Sequence, residues 1–355
     1  MTAQRTITPA LRTRILALTA AVCAVLLLAG CGLQSNTPRT GSGADIAGPG
    51  GATGTAGATA SGATAASAVP FDVTPLLDPG ADKKYFGAAL PGIPKSMSAL
   101  ATYTKDVGKQ PNMVEYYASW GDGFDTSGAR KIYDSGALPY MAWEPYKPSL
   151  AAIAKGSTDT YLTSVAKAVA AFNLPVAISF GHEMNGDWYA WGRQANSAAD
   201  FVNAWRHIHD VFQAAGATNV IWVWSPNIIN PAPTVKLQPY YPGDAYVDWV
   251  GMIGYYTLTG AHTFDTLYGP TMRQVRTFSK KPFLISETAS QKGNRRLADV
   301  DDLFNGIQSH PDVIGFIWFD EVKRADWRIE STPGPLADFK TRASNPRYSF
   351  NIRKP

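Results

Sequence analysis

The run from Gly181 to Gly192 reads Gly-His-Glu-Met-Asn-Gly-Asp-Trp-Tyr-Ala-Trp-Gly and gathers carboxylates, an imidazole, an amide and three aromatic rings within twelve residues. That combination suits a sugar. A carboxyl group can protonate a glycosidic oxygen, amide and imidazole can hold hydroxyls, and aromatic faces can stack on the apolar side of a pyranose ring. The run follows the apolar segment Pro175 to Phe180, which is too short for a helix and has the composition of a buried strand. Glu183 is therefore expected at the C-terminal end of a strand.

A second carboxylate occupies the same kind of position, in Phe283-Leu284-Ile285-Ser286-Glu287-Thr288. Two such glutamates can flank a glycosidic bond, one donating a proton to the leaving oxygen and the other attacking the anomeric carbon. Their surroundings must differ, because the donor has to stay protonated near neutrality while the nucleophile stays ionised. The His182-Glu183 pair also begins the zinc-protease helix motif. The position four residues after His182 is Gly186, so the second histidine is missing and neither metal nor cofactor is implied.

Short apolar, β-rich runs recur at 85–90, 113–120, 138–143, 175–180, 220–224, 247–255, 282–286 and 313–319. Helical spacing and punctuation fill most of the gaps. Ser197 with Asp200 marks a helix start, Phe201, Ala204, Trp205, Ile208, Val211 and Phe212 form its apolar stripe, and Gly216 follows its end. Segments 157–172, 265–278 and 297–308 look similar, whereas 228–245 carries four prolines and no helical pattern. Alternation of this kind predicts an α/β fold, a single (β/α)8 TIM barrel over residues 70–355, with the active site at the strand C-termini.

Those ends carry the candidate site residues. They are Trp120; Trp143 and Glu144; His182, Glu183, Asn185 and Trp188; Trp224 and Asn227; Tyr255 and Tyr256; Glu287; and Trp318 with Asp320. Trp120, Trp143, Trp188, Trp191 and Trp318 are candidates to stack on sugar, with some of them reserved for packing. Trp205, on the helical stripe, is expected in the core. Glu144 either contacts sugar or pairs with a basic group at the barrel mouth.

The chain before the barrel is of another kind. Arg5, Arg12 and Arg14 precede the apolar stretch Ile15 to Leu28, which reads as a signal segment over residues 1–30 and is shorter than the roughly 20 residues a spanning helix needs. Residues 31–69 are Gly, Ala, Thr and Ser with few charges, a composition that cannot bury a core and that predicts a flexible tether with a span of roughly 35 Å. The formal charge is +4, but the signal segment alone contributes three arginines, so nucleic acid is not an expected partner. The two cysteines are Cys23 and Cys31, which leaves no disulfide in the barrel.

The sequence resembles glycoside hydrolase family 26 through His-Glu-Met-Asn-Gly-Asp-Trp-Tyr-Ala-Trp-Gly at 182–192, Trp222-Val-Trp-Ser-Pro-Asn227, Ser286-Glu287-Thr288 and Asp326-Trp327-Arg328. The resemblance implies a (β/α)8 barrel and endo-acting hydrolysis of a β-linked polysaccharide with retention. It implies Glu183 as acid/base, Glu287 as nucleophile, His182 and Trp188 at the cleaved sugar, and Tyr255 as a hydrogen-bond donor to the nucleophile. Two departures bear on the substrate. Met141-Ala142-Trp143-Glu144-Pro145 stands where family mannanases carry a histidine, and Ile253-Gly254-Tyr255-Tyr256 stands where Asp-Gly-Tyr-Asn is common. The expected substrate is accordingly a β-1,4-linked polysaccharide, either β-mannan or mixed-linkage β-1,3-1,4-glucan. Leu28-Ala29-Gly30-Cys31 resembles a bacterial lipobox, which implies cleavage before Cys31, lipidation there, and anchoring outside the cytoplasm on the cell membrane; separately, a monomer is expected. A catalytically degenerate, glycan-binding lipoprotein is the alternative, and an enzyme that trims its own cell's polymer is a third reading.

Overall fold

The structure, a computed structural model, describes residues 69–230 and 232–355. The signal segment, Cys31 and all but the last residue of the tether lie outside the described residues.

Eight parallel strands close into a barrel in chain order: β1 (Tyr85–Ala89), β2 (Met113–Ser119), β3 (Leu138–Glu144), β4 (Val176–Phe180), β5 (Val220–Trp224), β6 (Trp249–Ile253), β7 (Phe283–Thr288) and β8 (Val313–Phe319). This is the (β/α)8 barrel that the strand spacing predicts. Closure runs through five paired positions, from Tyr85 opposite Gly315 to Ala89 opposite Phe319. Gly315 makes that seam possible: a Cβ there would meet the Tyr85 nitrogen at 2.6 Å.

The longer helices between the strands are α1 (Ser98–Val107), α2 (Thr126–Asp134), α3 (Asp159–Phe172), α4 (Ala198–Ala214), α5 (Arg296–Ser309) and, after β8, α6 (Pro333–Ala343). Helix α4 begins as its sequence requires. The Ser197 side chain accepts from the Asp200 amide, the Asp200 carboxylate accepts in return, and Phe201, Ala204, Trp205, Ile208 and Phe212 are buried on one side. Among the described residues between β5 and β6 there is only a 3-10 turn, Gln238–Tyr240, in keeping with the prolines of that connection.

The helix expected over 265–278 is instead two short pieces, Phe264–Leu267 and Gly269–Val275. Pro270 explains the break, because it has no N–H to give the Thr266 carbonyl one turn back. The Asn230 side-chain amide donates to that carbonyl in its place.

Candidate active site

Glu183 leaves β4 in a left-handed conformation, with φ of +54°, which is uncommon for a residue with a side chain. Backbone bonds hold it there. Its N–H donates to the Ser225 carbonyl at 2.7 Å, and the Gly186 N–H donates to its own carbonyl at 2.8 Å. The carboxylate is gripped on both oxygens: the Trp188 indole donates to Oε2 at 2.8 Å, and the Asn227 amide donates to Oε1. Asn227 is aimed by Asn185, which donates to the Asn227 carbonyl and accepts from its N–H, both at 2.8 Å. Gly186 completes the pocket, since a Cβ there would strike the Trp188 indole at 2.6 Å. Burial, and next the charge of Glu287, push the Glu183 carboxyl up to about 7, with the Trp188 and Asn227 donors working in the opposite sense.

Glu287, at the end of β7, receives two phenols. Tyr117 of β2 donates to Oε2 and Tyr255, just past β6, donates to Oε1. Burial raises its carboxyl above the usual range, while the Tyr117 and Tyr255 hydroxyls, and then the positive charge of Lys323, pull it back. The two glutamates thus sit in unlike surroundings. Glu183 has one indole and one amide donor and is poised to hold a proton near neutrality; Glu287 has two hydroxyl donors that favour the anion.

The expected site residues divide between the two faces of the barrel wall. His182, Asn185, Trp188, Glu144 and Tyr255 gather with the two glutamates. His182 is buried against Tyr117, Tyr189 and Trp191, and burial, with a smaller contribution from Lys323, pushes its imidazole down to about 3, so it acts as a neutral ring. Trp188 keeps 46% of its surface exposed. Glu144 pairs with no basic group among the described residues, and its one side-chain partner is the Tyr146 hydroxyl at 3.4 Å.

Three tryptophans expected at the mouth are instead part of the outer packing layer. Trp143 is buried against Phe180 and Phe212 and stacks on Trp120, whose ring also meets Tyr161. Trp318 is fully buried against Phe339 of α6, with its indole donating to Asp320 at 3.1 Å. Alternation along a strand is the reason: neighbours of inward residues face the helices. Trp191 is also structural, stacked on Tyr189 at 4.3 Å and donating to the His182 carbonyl at 2.7 Å. Trp224 and Tyr256 are likewise buried, Trp224 against Tyr241 and Phe278, and Tyr256 bonded to Asp302. Trp205 is in the core, as its helical stripe predicts.

Three residues near the pair, Glu115, Tyr117 and Lys323, were not among the candidates read from the sequence. Glu115 and Tyr117 lie two apart on β2, and that alternation of polar residues inside an apolar run was the available signal. Glu115 is buried, its Oε2 has no hydrogen-bond partner, and burial followed by the charge of Glu287 raises its carboxyl well above the usual range. Tyr189 packs on His182. Lys323 arrives on a small hairpin, β9 (Val322–Lys323) and β10 (Ala325–Asp326), that no apolar pattern announces.

The closed (β/α)8 barrel thus carries, at its strand C-termini, two glutamates with unlike hydrogen-bond partners. Residues 152–320 match the family model described as Glycosyl hydrolase family 26, so this part of the chain carries that family's pattern. Endoglucanase H of Acetivibrio thermocellus is 31% identical over 263 residues, which cover 70% of this chain and 29% of that protein. A mannan endo-1,4-beta-mannosidase of Bacillus subtilis (strain 168) is 31% identical over 161 residues, 43% of this chain and 41% of that protein. The chain therefore spans less than half the length of these relatives. Among solved structures, a Cellulomonas fimi endo-beta-1,4-mannanase double mutant superposes with a TM-score of 0.62 at 18% identity, covering 79% of this chain and 75% of that one. At that identity the likeness is one of fold.

Proposed function

We propose that the whole barrel is a family 26 retaining endo-glycoside hydrolase that cleaves β-1,4 linkages in a polysaccharide, with Glu183 as acid/base and Glu287 as nucleophile. The observation that carries this reading is the contrast between the two carboxyls. A proton held on Glu183 near neutrality passes to the glycosidic oxygen as the Glu287 carboxylate attacks the anomeric carbon, giving a glycosyl ester and a free leaving sugar. The Glu183 carboxylate then takes a proton from water, whose oxygen displaces Glu287 and restores both groups. Tyr117 and Tyr255 hold Glu287 in line, and Trp188, besides holding Glu183, presents its exposed face to a sugar ring.

The alignment with the endoglucanase is longer than that with the mannosidase, 263 residues against 161, and Glu144 stands at the end of β3. Both support a β-glucan over a β-mannan as the substrate. The test is to incubate the protein with barley β-glucan, lichenan, glucomannan, galactomannan and β-1,3-xylan, following reducing ends and the anomeric proton of the first product. Release of the β-anomer from a β-glucan is expected. Initial α-anomer would overturn retention, and release from galactomannan alone would overturn the glucan assignment. We further propose that Cys31 carries a lipid that tethers the barrel to a bacterial membrane, on the strength of the Leu-Ala-Gly-Cys run.

A further inference from the structure

The hairpin after β8 is held more firmly than its two-residue strands could manage alone. Arg296, fully buried at the start of α5, donates to the Ser290, Asp326 and Arg328 carbonyls and to the Ser331 and Thr332 hydroxyls. Lys292 adds a backbone bond to the Asp326 carbonyl at 3.1 Å. Trp327 then ties the hairpin to the site: its N–H donates to Glu321, its indole donates to the Lys323 carbonyl at 2.9 Å, and its ring packs on Tyr255 at 4.8 Å. Tyr255 is one of the two donors to Glu287. Lys323 is thereby set on the other donor's ring, with its ammonium 5.7 Å from the centre of Tyr117 and 5.9 Å from that of Phe319. Among the described residues no carboxylate pairs with it.

The mouth that this ammonium faces is acidic. Glu115 and Tyr117 approach Glu287 from β2, Glu144 from β3, His182, Glu183 and Tyr189 from the β4 loop, Tyr255 from just past β6, and Glu321 from just before the hairpin. Two buried or half-buried carboxylates cannot both ionise cheaply, and Tyr hydroxyls carry no net charge. We propose that Lys323 is a positioning residue of the site: set by the hairpin against the Tyr117 ring, it supplies the positive charge that keeps Glu287 ionised among the glutamates of the mouth. The role rests on Glu287 being the nucleophile. A lysine unpaired with any one carboxylate can act on several of them, and its charge opposes protonation of Glu183, Glu287, Glu144 and Glu115 alike. Glu183 still holds its proton near neutrality because burial outweighs that charge.

The experiment is a pH titration of the glutamate δ-carbons by ¹³C NMR in the full chain, with the Glu287 signal assigned by its loss in Glu287→Gln. Wild type, Lys323→Met and Lys323→Arg are compared, and the acid limb of kcat/KM is recorded beside it. Lys323 is exposed, so its replacement spares the core. In Lys323→Met, Glu287 is expected to ionise at a pH higher by about half a unit to one unit, the acid limb of kcat/KM to move with it, and Lys323→Arg to restore both. An unchanged Glu287 titration in Lys323→Met overturns the proposal. A loss of kcat/KM without that shift does so too, and would make Lys323 a substrate contact. The titration needs no substrate, so a chain that cleaves no glycan would refute the glycosidase reading while the NMR result still decides the role of Lys323.

Discussion

The proposed division of tasks between Glu183 and Glu287 rests on their unlike neighbours. The indole and amide on Glu183 leave it able to carry a proton up to about pH 7, so kcat/KM should fall as pH rises through that value, when the acid is lost. It should also fall toward low pH as Glu287 takes up a proton. A kcat/KM profile that stays flat from pH 6 to pH 9, a range bracketing about one to two units around Glu183's carboxyl, would contradict the assignment of the acid. Tyr117 and Tyr255 each give one hydrogen bond to a charged oxygen, worth about 1.5–3 kcal/mol. Tyr117→Phe is therefore expected to lower kcat by roughly 10- to 100-fold with little change in KM. Measured single-turnover rates equal to wild type would show that Tyr255 alone suffices. The two glutamates were legible because each follows an apolar run as an isolated carboxylate. The tryptophans were less so: ending a strand fixes depth along the barrel, and only the pleat decides whether a ring such as Trp143 or Trp318 faces sugar or helix.

At the scale of elements, the boundaries of the eight strands follow their β-branched and aromatic runs closely, and the Ser197–Asp200 box starts α4 as read. The break at Tyr268–Gly269 was missed because the apolar spacing of 265–278 continues across it, although Pro270 was in view. The β9–β10 hairpin was invisible for a different reason. Its place depends on Arg296, a buried cation thirty residues away from its Asp326 partner, and no local pattern encodes such a contact. The β1–β8 seam gives the clearest stability test. Gly315→Ala sets a methyl against the Tyr85 backbone at a residue whose φ is +152°, and should cost about 1–3 kcal/mol or more. A urea unfolding midpoint within error of wild type would show that the seam relaxes freely.

The molecule as a whole joins a barrel to a leading segment of unlike composition. Residues 32–69 are rich in Gly, Ala, Thr and Ser and hold no aromatic residue, while residues 70–355 hold the aromatic rings that pack every strand. If Cys31 is lipidated, ³H-palmitate should label the chain in a bacterial host and Cys31→Ala should abolish the label; equal labelling of both would refute the anchor. The identity of the proposed substrate was not legible, because barrel and carboxylates are common to several glycanases and do not choose among them. The central claim is that two glutamates from opposite sides of one mouth act together. Its most direct test is the initial rate of reducing-end release by Glu183→Gln and Glu287→Gln on the glycan that the wild-type chain degrades best. Each variant, with its circular dichroism unchanged, is expected to lose roughly a thousandfold or more of kcat. Turnover by either variant within tenfold of wild type would contradict the pair.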